Sequence, residues 1–464
     1  MPNRPVGARK SRPPRSSTTK RDICAIMPNL ACAFALIAFP ILTLLSPSDA
    51  ALQSAAARPE PRIFWPAMAA VSIFLCIQHR SRLAKLGWPP HIVFLFAYLA
   101  LAGASGLWAF NPGVSFVRFV QQAMIVTSIV LPAMLAARTS DVIHGLYVGF
   151  AISLIINLFY VFAGSVTIVQ YGSLGAVDIG YQGYFLGKNY LGECAAVALL
   201  LASHEVLYPG RRRVLGIIVM VLAIALIILS DSKTALGLAI IAPSLAGVTL
   251  LIRKTTRLSP AIILLSIPVL YIVVSHVSNF TMNRVSFMLY GDSTFTGRTV
   301  IWDFAGMEID RSPFVGWGYQ SFWLAGSDAP SVLDAPGWVK MMPNAHNGYY
   351  DTMLETGYIG LALLLGFIIA TLHAIGRIAD RDPKRAWHLL SMALLIIIWN
   401  FLESLWMRGF EFLWVVFLIV AADIARYWRP VPLRTALRRS VSSKPGGPSP
   451  FPTAPTAPMH MRLS

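Results

Sequence analysis

The feature that most constrains this chain is the recurrence of apolar runs about as long as a bilayer is thick. Residues 233–252, KTALGLAIIAPSLAGVTLLI, are typical, and a helix needs ~20 largely apolar residues to cross the hydrocarbon. Such runs predict about twelve spans, at 24–45, 63–78, 90–108, 115–136, 142–163, 188–207, 212–229, 233–252, 259–277, 354–375, 386–402 and 409–427. Lipid offers the backbone no hydrogen bonds, so runs of this length must be helical. The fold class is therefore an all-α polytopic membrane protein. Only 13% of residues are charged, about half of what a soluble enzyme carries, where the usual share is ~25%.

The net charge of +17 invites a nucleic-acid reading, but its distribution follows topology. With the N-terminus in the cytoplasm, the cytoplasmic segments hold the basic tail from Arg4 to Arg21, Arg80, Arg82 and Lys85, Arg138, Arg211 to Arg213, Arg253, Lys254 and Arg257, Arg377, Arg381, Lys384 and Arg385, and the C-terminal tail. Each cytoplasmic segment thus satisfies the positive-inside rule, and anionic lipid suffices as the partner of the charge. The organisation expected is a basic cytoplasmic tail (1–22), nine helices (23–277), a large periplasmic loop with short helices (278–353), three helices (354–427) and a Pro- and Ser-rich cytoplasmic tail (428–464). Both tails have the composition of disorder. Ser48-Asp49-Ala50 faintly resembles a cleavage site, but the apolar run before it is longer than the 7–15 residues of a signal peptide, which predicts an uncleaved anchor. Cys24, Cys32, Cys76 and Cys194 lie in or beside spans without paired spacing, and read as small buried residues.

The insertion at 278–353 is too long for an idle connection. Thr296 is placed to cap a short helix from 297 to about 309, ended by Asp310-Arg311-Ser312-Pro313. On it Ile301, Trp302, Ala305 and Ile309 share a face. An amphipathic helix lying in the membrane interface accounts for the aromatics Trp302, Trp317, Tyr319, Phe322 and Trp323, and stacking on sugars is the alternative. Of nine histidines, only His276 and His346 face outward. His276 ends an apolar span and reads as structural. His346 follows Pro343 and Asn344, and Asn344 is a candidate N-cap that would put His346 in the first helical turn, beside N–H groups that favour an anion. On a continuous helix Glu355 points away from His346 and pairs with Asp351, so a His–Glu relay within this helix is disfavoured; Glu355 instead suits a buried contact with another helix. Lys188 in GYFLGKNYLGE and Lys233 in ILSDSKTALGLA stand at the outer mouths of spans. Either alone could be a snorkelling lysine; several together would suit a diphosphate. Asp231, Glu193 or Glu403 would be acids near the mouth that could select an acceptor.

The strings TGRTVIW, SPFVGWGYQSF and NAHNGYYDTMLETGYIGLALL together resemble the O-antigen ligase and O-antigen polymerase superfamily of bacterial surface polysaccharide enzymes. In that family a GR segment opens the long periplasmic loop, and AHN followed by a Glu and a Gly closes it; the likeness covers about residues 180–420. The resemblance implies a metal-independent, cofactor-free glycosyltransferase that takes an undecaprenyl-diphosphate-linked oligosaccharide at the periplasmic face of the bacterial inner membrane. The acceptor would be a glycan or the lipid A core, with membrane lipids and other polysaccharide assembly proteins as further partners and no nucleic acid. By the motifs His346, Arg298 and Glu355 would be catalytic, and Lys188, Lys233, Arg298, Asn189 and Asn347 would hold the diphosphate. Ser232-Lys233-Thr234 stands where the family often has Ser-Arg-Thr, and GKNYLG departs from the ligase form; both look more like the exopolysaccharide polymerases. A neutral histidine can accept the proton of an incoming hydroxyl, and the cations can stabilise charge on the departing diphosphate. A transporter or flippase would gather its polar groups near the midplane, whereas here they collect at one side.

Overall fold

A computed structural model describes residues 22–45, 58–171, 176–278 and 297–428, with isolated positions between 280 and 295. The expected tails, the Ser48-Asp49-Ala50 site and Thr296 lie outside the described residues. In chain order the helices are α1 (Ile23–Leu45), α2 (Pro59–Gln78), α3 (Pro90–Ala104), α4 (Pro112–Leu135) and α5 (Thr139–Phe162), then α6 (Lys188–Val206), α7 (Arg211–Ser230), α8 (Lys233–Thr256) and α9 (Pro260–Ser278). The insertion contributes α10 (Arg298–Arg311), and α11 (Gly348–Ala379), α12 (Pro383–Trp399) and α13 (Phe412–Arg426) follow. Between α5 and α6 a hairpin pairs β1 (Val166–Tyr171) antiparallel to β2 (Ala176–Tyr181), Val166 opposite Tyr181.

All the expected spans coincide with helices. Among the described residues nine are long and apolar enough to cross a membrane, and α6, α12 and α13 are not in that set. These three are the innermost. From Phe412 to Ala425 every residue of α13 is buried, as befits a helix apolar all round. Its 15 residues make a rod of about 22 Å, shorter than the ~30 Å hydrocarbon layer. The irregular connection 400–411 that precedes α13 has Leu405, Trp406 and Met407 buried in protein, where non-helical backbone is tolerated. Helix α6 closes on the start of α8 through Gly192, where a Cβ would stand 2.7 Å from that of Ala235; small residues permit such approach. That contact brings the mouths of two helices together.

Helix α11 is not continuous. It breaks at Gly357, whose φ of 64° and ψ of −166° are open to glycine and strained for other residues. The insertion repairs the break. Tyr358 N donates to Pro313 O (2.7 Å), Ile359 N to Phe314 O (3.2 Å), and Trp317 N to Leu354 O (2.7 Å). The same segment is stitched to the α3–α4 connection by Phe110 N to Trp317 O (2.8 Å) and Tyr319 N to Ser105 Oγ (2.9 Å).

The insertion has its own core of Ile301, Phe304, Ala305, Ile309, Phe322, Trp323, Ala335, Val339 and Ala345, closed below by Leu354 of α11. The apolar face of α10 is therefore covered by protein and does not lie on the membrane interface. Gly297 (φ 87°) occupies the cap position of α10.

Candidate active site

Helix α11 begins further upstream than its apolar run suggests because Asn347, and not Asn344, caps it. Asn347 Oδ1 accepts from Tyr349 N (3.0 Å) and Tyr350 N (3.3 Å). Its Nδ2 donates to Phe401 O (3.3 Å), and its own N–H to Ser404 Oγ (3.1 Å). Gly348 N is shared by Asn400 O (2.9 Å) and Glu403 O (3.1 Å), and Asp351 N donates to Asn347 O (3.0 Å). The N–H groups of the first turn are thus taken up within the protein, and the expected anion site at this helix end is not open.

His346 lies before the helix, with a left-handed φ of 47°. Asn344 holds that turn by accepting from His346 N (2.9 Å). The turn sends the imidazole toward the 400–411 connection, where Nδ1 meets Glu403 Oε2 at 3.0 Å. The other oxygen, Oε1, accepts from Arg298 Nη2 at 2.7 Å and from Asn189 Nδ2 at 3.5 Å. Asn189 Oδ1 in turn accepts from the hydroxyl of Ser232, the cap of α8 (3.2 Å). One carboxylate therefore joins four segments distant in sequence: the start of α6, the start of α10, the turn before α11 and the connection before α13. Burial by itself would raise the Glu403 carboxyl, but the His346 hydrogen bond and the Arg298 charge outweigh it and hold the group below the ordinary carboxylate range. His346 keeps 31% of its side chain exposed, enough for a substrate to reach it.

The other expected residues divide. Lys188 is buried and turned onto Asp231, its Nζ 3.5 Å from Oδ2 and donating to the carbonyl at 3.3 Å. Lys233 is exposed at the first position of α8. Glu355 does not meet His346, and its expected pairing with Asp351 runs through an arginine from outside the helix. Arg408 Nη2 bridges Glu355 Oε1 (2.9 Å) and Asp351 Oδ2 (3.0 Å). Asp351 Oδ1 also accepts from Trp323 Nε1 (2.7 Å) and Ala345 N (3.0 Å), which pins the backbone just ahead of His346. Glu411, at the cap of α13, receives the Tyr190 hydroxyl at 3.4 Å.

Sequence reasoning did not foresee Glu403 as the partner of His346, having weighed it only as an acceptor-selecting acid. The available signal was a carboxylate in a short connection between apolar runs. Its position relative to His346 depends on how α12 ends, which no local pattern encodes.

These features define a helical, multi-pass membrane protein whose conspicuous polar constellation, a histidine and an arginine on one carboxylate, sits where a folded insertion meets one end of the bundle. Residues 218–365 match the family model described as O-antigen ligase. The chain is also 28% identical over 332 residues to the exopolysaccharide production protein ExoQ of Rhizobium meliloti (strain 1021), across 67% of this chain and 72% of that protein. Both findings support the likeness to an O-antigen ligase/polymerase-like family that the GR and AHN strings carry. The matched stretch holds Lys233, Arg298, His346 and Glu355, and ends before Glu403.

Proposed function

We propose that this protein is a membrane glycosyltransferase of surface polysaccharide biosynthesis, and that it polymerises undecaprenyl-diphosphate-linked oligosaccharide at the periplasmic face of the inner membrane, both termini being cytoplasmic. The observation that carries this reading is the Arg298–Glu403–His346 arrangement. An ionised Glu403 accepts the Nδ1 proton of His346 and leaves the Nε2 lone pair as the base, the role that a buried carboxylate plays toward histidine in acyl-transfer triads. In the reaction Nε2 takes the proton of the acceptor hydroxyl, the oxygen bonds to the anomeric carbon, and the bond from that carbon to the diphosphate oxygen breaks with its electron pair. Glu403 stabilises the imidazolium. Arg298 has five N–H donors, and those not directed at Glu403 face the departing diphosphate. Charge developing on the leaving group is where such fixed donors lower a barrier.

The likeness to an exopolysaccharide production protein supports a polymerase, and the description of the matching family model supports the second reading, a ligase that joins the glycan to the lipid A core. Both share the donor and the site. The deciding experiment complements a deletion strain with wild type or His346→Ala and analyses lipopolysaccharide and secreted polysaccharide on gels. Loss of long secreted polymer, or core capped by a single repeat, means polymerase; bare core with polymer still on the carrier lipid means ligase. Near-normal product with well-expressed His346→Ala overturns the role of His346, and absence of donor-dependent transfer by purified wild type would leave a lipid-linked oligosaccharide flippase as the reading.

A further inference from the structure

The aromatic side chains of the insertion fall into two sets. Tyr319, Phe322 and Trp323 are buried in the cores and offer no face to a ligand. A second set packs on the residues next to Arg298 and His346. Trp338, which no motif singled out, is 49% exposed on the 3₁₀ turn Gly337–Met341. Its indole lies against Gly297, where a Cβ would stand 3.6 Å from Cζ2, and Gly297 directly precedes Arg298. Trp302, one turn along α10 and partly exposed, donates Nε1 to Ala345 O at 3.0 Å, the residue before His346. Its ring lies nearly parallel to that of Tyr350, centroids 6.2 Å apart and planes 13° apart, with Phe295 5.7 Å away.

The exposed indole is not on a mobile tip. Val339, the next residue, is fully buried in the core of the insertion, as is Ala335, so the turn is fixed from beneath. A rigid aromatic with two side-chain torsions gains contact area with little loss of conformational freedom. Diphosphate alone has no use for such a surface. A pyranose does: its ring presents a face of C–H groups that suits the negative face of an indole, while its hydroxyls and diphosphate suit the adjacent charges.

Resting on the glycosyl-transfer reading above, we infer that Trp338 is a carbohydrate-stacking subsite that holds the diphosphate-bearing sugar of the lipid-linked donor, one residue from the arginine that faces the diphosphate. The competing role for an exposed tryptophan is anchoring at the membrane surface, and a comparison of two ligands separates the two. Binding to wild type, Trp338→Leu and Trp338→Phe in lipid nanodiscs is measured with two probes: lipid-linked oligosaccharide extracted from the producing cell, and undecaprenyl diphosphate without sugar. The expected result is that Trp338→Leu weakens the sugar-bearing probe about 3- to 10-fold, the range for one aromatic contact, while bare undecaprenyl diphosphate binds as before and Trp338→Phe keeps most of the sugar affinity. Equal loss for both probes, no loss for either, or a Phe variant as weak as the Leu variant overturns the subsite. Binding does not require turnover. Sugar-selective binding without any transfer would refute the enzymatic reading and leave the subsite standing.

Discussion

Replacing Glu403 by glutamine keeps the shape of the site and removes one charge, so it isolates what the carboxylate does. In the native arrangement Oε1 faces Arg298 at 2.7 Å and Oε2 faces His346 Nδ1 at 3.0 Å. Glutamine can keep an oxygen toward the guanidinium only by turning its NH₂ toward Nδ1. That donor requires a lone pair on Nδ1, which moves the imidazole proton to Nε2 and leaves no base there. Loss of a positioned general base lowers the rate by about 10²–10⁴, and reversal of a histidine tautomer by loss of its carboxylate reaches the upper figure in acyl-transfer triads. At 1.36 kcal/mol per factor of ten this is about 3–5 kcal/mol on the barrier. The assay is single-turnover transfer from lipid-linked oligosaccharide by purified Glu403→Gln in nanodiscs, with Glu403→Asp and His346→Ala alongside. The rate constant should collapse while donor binding changes far less. A Glu403→Gln enzyme within about threefold of wild type, with an unchanged melting temperature, would refute the tautomer argument.

Two further outcomes follow from the geometry. Gly357→Ala places a Cβ 2.1 Å from the carbonyl carbon of Phe314 at a positive φ, so thermal unfolding in detergent should show a loss above ~2 kcal/mol; an unchanged melting temperature would mean that the helix break is not needed. Asp351→Asn weakens the hold of one side chain on Arg408, Trp323 and the backbone of Ala345, and should cost about 1.5–3 kcal/mol of stability and slow transfer, because the turn bearing His346 loses its tether.

Much of the architecture was legible in one dimension because lipid imposes a simple rule. A run of about twenty apolar residues has one way to satisfy its backbone, so the positions of the helices follow from hydropathy alone, including α6, α12 and α13, whose shortness or polarity is explained by protein surrounding them. The reactive strings were legible for a related reason: in an apolar chain a His, an Arg or a Lys at a helix mouth stands out. Asn344 competed with Asn347 as a cap, and both are good capping residues; the choice fell to Asn347 because Phe401 and Ser404 hold it there. The break at Gly357 was hidden because a glycine in an apolar run is compatible with helix, and only the loop laid across it decides otherwise.

The sequence by itself determined that the chain is helical and membrane-spanning, and that Arg298 and His346 belong to one insertion and its rim. What only the tertiary structure decided is the chemistry they can share. The connection before α13 is partly buried within the protein, and Glu403 on it meets Asn189, Arg298 and His346 from three other segments. Hydropathy reports how each segment meets its solvent, while a contact between side chains more than a hundred residues apart depends on where several helices end, and that is set by packing.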